Sequence, residues 1–190
     1  ISCSLVGSEM CIRDREGMEQ KPEDDIPEDG VVNDVFTIDF PQNITQVHFI
    51  KLRLFDKKGK EVANTFYWRS NDKYEGRKTL TGPTSSGFED LSKLKQVQLK
   101  TRYKAYQEGD RHFIKAEIKN PSSTVAFFTQ LQLLGQDKKP VRPSFYTDNF
   151  FSLLPGESKT VIIETATDDM PSEPTFVVKG WNIQSSSFKL

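Results

Sequence analysis

Between Val97 and Ile118 apolar and polar residues alternate with a period of two, and nowhere does the chain sustain the spacing of an amphipathic helix. Val97, Leu99, Tyr103 and Ala105 fall on one face, and Gln98, Lys100, Arg102 and Lys104 on the other. Glu108-Gly109-Asp110 supplies a turn, after which Ile114, Ala116 and Ile118 alternate with Lys115 and Glu117. This pattern specifies a β-hairpin with one buried face. A chain built this way is confined to all-β architectures.

The segment Pro143–Thr160, PSFYTDNFFSLLPGESKT, repeats the lesson with aromatic residues. Phe145, Tyr146, Phe150 and Phe151 favour a pleated, half-buried surface, Pro155-Gly156 turns, and Val161-Ile162-Ile163 resumes an extended run. Val125, Phe127, Leu131 and Leu133 begin a further strand after Asn120-Pro121-Ser122-Ser123. With strands around 141–146, 149–153, 158–166 and 175–183, residues 96–184 hold about seven short antiparallel strands, the pattern of a complete immunoglobulin-like sandwich. Residues 185–190 are read as a tail.

The N-terminal half is less complete. Val32, Phe36, Ile38 and Phe40 alternate with Asn33, Thr37 and Asp39; Ile50, Leu52 and Leu54 alternate with Lys51 and Arg53; Asp56-Lys57-Lys58-Gly59 is a hairpin turn leading to a strand that ends near Arg69. Three strands cannot close a sandwich core alone. Residues 31–75 therefore read as the C-terminal part of a β-sandwich truncated at its N-terminus. Residues 76–95 form the connection to the second module, anchored by Phe88, Leu91 and Leu94. The expected fold is all-β, two tandem immunoglobulin-like β-sandwich modules with the first truncated.

Residues 1–15, ISCSLVGSEMCIRDR, have no basic n-region and no apolar core, so they do not form a signal peptide. They read as the in-frame translation of a sequencing adapter, an artefact expected to be disordered. Both cysteines, Cys3 and Cys11, lie within them, which leaves the remainder no disulfide and no thiolate metal site. Residues 16–30, EGMEQKPEDDIPEDG, have the acidic, proline-punctuated composition of a linker or loop.

A net charge of −1 offers no basic field for phosphates, so no nucleic-acid partner is expected. No apolar run approaches the roughly 20 residues that span a bilayer, so no membrane contact is expected either. His48 and His112 are far apart, and neither a nucleophile elbow nor a zinc-protease helix motif occurs. The acidic pairs Asp24-Asp25, Glu89-Asp90 and Asp168-Asp169 stand in loop-like segments, where nothing raises one pKa to make a general acid. Catalytic residues, metal ligands and cofactors are all expected to be absent; Asp148-Asn149 reads as turn chemistry. Asn43-Ile44-Thr45 is a formal glycosylation sequon. Exposed aromatic rings can stack on pyranose faces, which makes Trp68, Tyr146 and Trp181 candidate sugar contacts. Tyr67 and Trp68 are adjacent and point to opposite faces, so one of them is expected in the core. Gly180-Trp181-Asn182 fits a packed strand end.

Phe66-Tyr67-Trp68, Asp148-Asn149 through Glu157, and Gly180-Trp181-Asn182 together resemble the C-terminal domains of family 2 glycoside hydrolases, especially the exo-β-D-glucosaminidase and β-mannosidase branch. One departure is that Thr65 separates Asn64 from Phe66. The resemblance implies a non-catalytic accessory region, whose parent performs retaining hydrolysis of β-linked glucosamine or mannose with two glutamates in a separate (β/α)8 barrel. It also implies packing against that barrel and the other sandwiches of the parent chain, possible oligosaccharide contact, and a periplasmic or extracellular bacterial location. The alternative is a free-standing tandem immunoglobulin-like carbohydrate-binding or adhesion protein with no enzyme attached.

Overall fold

The structure is a computed structural model and describes residues 2–7, 38, 40, 44–56, 58–71 and 87–190. The chain divides into two compact units, Ile1–Lys93 and Leu94–Leu190. The expected strand at Val32–Phe40, the expected linker at 16–30 and Asp24-Asp25 lie outside the described residues, apart from Ile38 and Phe40, which are not in a strand.

The N-terminal unit is a three-stranded antiparallel sheet, β1 (Ser2–Gly7), β2 (Val47–Phe55) and β3 (Glu61–Ser70), with β2 in the centre. The β2–β3 turn follows the expected chemistry. Asp56 Oδ1 accepts bonds from the Lys58 and Lys60 amides, and Gly59 takes φ of 77°, a conformation only glycine adopts without strain. Val47 to Lys51 are buried on both faces of β2, while β3 is largely exposed. The strand Ser2–Gly7 departs from the expected disorder at those six residues; the rest of 1–15 lies outside the described residues. The β1 register, from Ser2 opposite Arg53 to Gly7 opposite His48, gives the edge of β2 the backbone partners that an edge otherwise lacks.

The C-terminal unit is an immunoglobulin-like sandwich of two four-stranded antiparallel sheets. One has the order β11-β10-β6-β8, comprising Ile183–Lys189, Thr175–Gly180, Ala126–Leu134 and Phe151–Leu153. The other has the order β4-β5-β9-β7, comprising Lys100–Glu108, Arg111–Lys119, Ser158–Ala166 and Phe145–Tyr146. The inward residues of both sheets make one core, including Ile114, Ala116, Ile118, Leu131, Leu133, Val161, Ile163, Phe176 and Val178. The aromatic part is ordered: Phe176 meets Phe188 in a stack at 5.3 Å and the edge of Tyr103 at 5.8 Å.

One boundary differs from the sequence reading. Residues 185–190 are not a tail, because β11 runs to Lys189 and Phe188 and Leu190 pack on the core. The signal there is two apolar side chains behind three serines, too short a run to establish a period. Of the connection 76–95 the structure describes residues 87–95: Glu89–Lys93 forms a 3-10 turn with Leu91 buried, and Leu94 is buried at the start of the second unit.

Candidate functional site

The aromatic segment that first marked the sandwich turns out to finish an incomplete sheet edge. Strand β8 pairs with β6 only at Ala126 and Thr129, which leaves the Leu131 and Leu133 amides without a strand partner on that side. Side chains take over. Asn149 accepts a bond from the Leu131 amide at 2.8 Å and returns one from Nδ2 to the Leu131 carbonyl at 3.0 Å, imitating a paired strand residue. The Tyr146 hydroxyl accepts from the Leu133 amide at 2.9 Å. Burial is the main cause that raises the phenol above its ordinary pKa. Tyr146 therefore has a structural task, its ring packed against the core and its oxygen engaged. Asp148 accepts from the Asn149 amide and pairs with Lys159, whose ammonium lies 5.1 Å from the Phe151 ring centre.

The Gly180-Trp181-Asn182 turn is the second structured element. Asn182, 1% exposed, accepts from the Phe127 amide and donates to the carbonyls of Lys95 and Val125, all at 2.9 Å. Its own carbonyl accepts from the Val97 amide. One asparagine thus ties the segment before β4, the start of β6 and the β10–β11 turn together. Gly180 is required by space, since a Cβ there would lie 2.8 Å from the Phe128 carbonyl oxygen and 2.4 Å from Ile183 Cδ1. Trp181 between them is 58% exposed, which corrects the expectation of a packed strand end. Its neighbours use up the interior space of the turn, so the indole is turned outward.

In the N-terminal unit Trp68 lies opposite Phe49 and Tyr67 opposite Ile50, so the two rings do point to opposite faces. Neither is in the core, contrary to expectation: Trp68 is 42% and Tyr67 49% exposed. Among the described residues the sheet has three strands, and β3 lies at one edge of it. Within the C-terminal unit Tyr146 and Trp181 stand at separate places, on β7 and on the β10–β11 turn, and Trp68 belongs to the N-terminal unit.

Glu89, Asp168 and Asp169 are exposed and Asp90 is half-buried, where it pairs with Lys93 at 2.6 Å. None has an apolar pocket around it. His48 is buried in β2 against the edge of Phe40, with neither ring nitrogen hydrogen-bonded; His112 is half-buried in β5. Burial first, and then the Arg69 charge, holds the His48 imidazole below its ordinary pKa against a raising contribution from the Thr45 backbone. Among the described residues no three His, Cys, Asp or Glu side chains come together to hold a metal ion. No helix of the described residues is long and apolar enough to cross a membrane.

Sequence reasoning singled out Tyr146, Trp181 and the Asp148-Asn149 pair but missed what Asn182 and Asn149 do. Their place in turn-forming segments, Gly180-Trp181-Asn182 and Asp148-Asn149, is the available signal.

Residues 79–183 match the family model described as the exo-β-D-glucosaminidase Ig-fold domain, which is more than half of the chain. An exo-β-D-glucosaminidase of Streptomyces avermitilis is 30% identical over 149 residues, 73% of this chain and 16% of that protein. The Amycolatopsis orientalis exo-β-D-glucosaminidase is 29% identical over 158 residues, 77% of this chain and 15% of that protein. The chain therefore spans about a sixth of the length of these relatives. The crystal structure of the A. orientalis exo-chitosanase CsxA covers 82% of this chain, and this chain covers 20% of it, with a TM-score of 0.71 at 23% identity. A likeness at that identity speaks for the fold. The sequence matches carry the assignment further, and the chain belongs to the exo-β-D-glucosaminidase Ig-fold domain family.

Proposed function

We propose that this chain is a non-catalytic accessory region of a family 2 glycoside hydrolase that removes terminal β-linked glucosamine with retention of configuration. The observation that carries the reading is the match of residues 79–183 to the Ig-fold domain of exo-β-D-glucosaminidases. In this reading the N-terminal sheet is the end of a preceding sandwich, and both units pack beside a catalytic barrel of the same polypeptide. Retaining hydrolysis needs two carboxyl groups about 5 Å apart, and in this reading the barrel supplies both.

The test is to express the uninterrupted open reading frame from the source DNA and, separately, residues 16–190. The intact enzyme is expected to release p-nitrophenol from p-nitrophenyl β-D-glucosaminide, and residues 16–190 to release none. Turnover by residues 16–190, or an open reading frame with no catalytic barrel, defeats the proposal. The second outcome would favour a free-standing binding protein.

A further inference from the structure

The outward face of the sheet β4-β5-β9-β7 has two unlike halves. Ile114, Ala116 and Ile118 of β5 point into the core, so Phe113, Lys115, Glu117 and Lys119 point outward. The register sets Tyr106, Lys104, Arg102 and Lys100 of β4 beside them in turn. One half is aromatic. Tyr106 stacks on Phe113 at 5.3 Å, and Phe113 and Phe145 lie on either side of Glu164, which pairs with Arg111. The other half carries five exposed cations, Lys100, Arg102, Lys104, Lys115 and Lys119, against the single acid Glu117. Five against one leaves a local excess of four positive charges in a chain whose net charge is −1. Lys100 stands opposite Lys119 and Lys104 opposite Lys115, and among the described residues none of the four lysines takes an ion pair. Like charges set directly across a sheet weaken it. Lysines guard an edge strand against stray pairing, which accounts for those of β4. Strand β5 is interior to the sheet, so Lys115 and Lys119 guard no edge. A local rule broken with no return inside the fold points to a return outside it.

We propose that this face docks the C-terminal unit onto an acidic surface of the rest of the parent polypeptide. The inference rests on the reading of the parent as a glucosaminide hydrolase. The relatives are about six times as long as the part this chain matches, so most of what surrounds the unit in such a protein is the same polypeptide. Charge selects the kind of surface. A glucosamine polymer is a chain of ammonium groups, which a basic face repels, so the substrate is not the occupant. A catalytic part that gathers such a polycation needs an acidic field to do so, and an acidic field complements these lysines. The two halves divide the work of an interface. Tyr106, Phe113 and Phe145 offer the aromatic area that a stable contact buries, and the cations fix orientation and exclude wrong surfaces.

The experiment compares lysine acylation rates, read by mass spectrometry, in this chain and in the intact parent enzyme. Lys100, Lys104, Lys115 and Lys119 are expected to react about tenfold or more slowly in the parent, with a smaller change at Lys189 on the other sheet. Lys115→Glu then separates a docking face from a solvated one. In this chain it turns a like-charge pair into an opposite one and is expected to raise Tm by about 1–5 °C. In the parent it is expected to return Lys100 and Lys119 toward their faster rates. The unsubstituted comparison stands by itself should the variant fail to fold. Equal rates in this chain and the parent overturn the docking face, as do rates in the parent that fall only when polyglutamate is added, which would mark an external acidic partner. A parent that releases p-nitrophenol while these lysines react as they do in this chain keeps the functional reading and removes only the docking face.

Discussion

Asn182→Ala tests whether one side chain joins three segments of the C-terminal unit. The substitution deletes an acceptor for the Phe127 amide and donors for the Lys95 and Val125 carbonyls, at a position 1% exposed. Each such bond contributes about 1 kcal/mol net, and a buried donor left bare costs about 1–3 kcal/mol. The Phe127 amide is the worst case, because an N–H has a single partner to lose. A total near 3 kcal/mol follows, which for a domain of this size lowers Tm by about 12–24 °C. Urea unfolding in a Trp68→Phe background reads the right unit, since Trp181 lies in it. Asn182→Asp sharpens the test. It keeps the acceptor, loses both donors and buries a charge, so it should be the worse variant at neutral pH and recover as acid protonates it. A loss below about 1 kcal/mol for Asn182→Ala, or unchanged exchange of the Phe127 amide, would refute the reasoning.

Tyr146→Phe leaves the Leu133 amide unsatisfied in a nearly closed site, so urea midpoints should fall by the equivalent of about 1–3 kcal/mol while the sheet content by circular dichroism stays the same. Phe176→Ala empties the centre of the aromatic core and should cost about 3–5 kcal/mol by the same measurement. His48 has its folded pKa below the ordinary 6.5, so between those two values the unfolded chain binds more protons. Stability of the N-terminal unit should therefore be flat above about pH 7.5, fall as pH drops through 6.5, and level off below the folded pKa. His48→Leu should abolish that slope in Trp68 fluorescence unfolding curves recorded from about pH 5 to 8.

The strands were legible where alternation was strict. Ile114, Ala116 and Ile118 sit in the core as their period demands, and Asp56 and Gly59 make the turn their chemistry predicts. Legibility failed where a residue's task depends on a neighbour far along the chain. Nothing local says that Asn182 faces Val125 or that Asn149 faces Leu131, because those partners are 57 and 18 residues away. Tyr146 and Trp181 looked alike as aromatic residues near turns. Their fates diverged because Tyr146 meets an unpaired amide on β6, whereas Gly180 and Ile183 fill the space beneath Trp181. Phe188 was missed for a simpler reason: only it and Leu190 are apolar after three serines, too short a run to read as a strand.

The edge of β6 beyond Thr129 is closed by an amide and a phenol. Main-chain pairing forces a neighbouring segment to run straight and in step, residue against residue; a side-chain clasp asks only that one group arrive. The loop between Gly135 and Ser144 keeps a short main-chain register with β6, Pro140 bridging Leu134 and the Val141 amide donating to the Leu133 carbonyl. Beyond it the flank is free of strand register, fastened at Tyr146 and Asn149 by two side chains whose reach, and not the run of the backbone, sets where it lies.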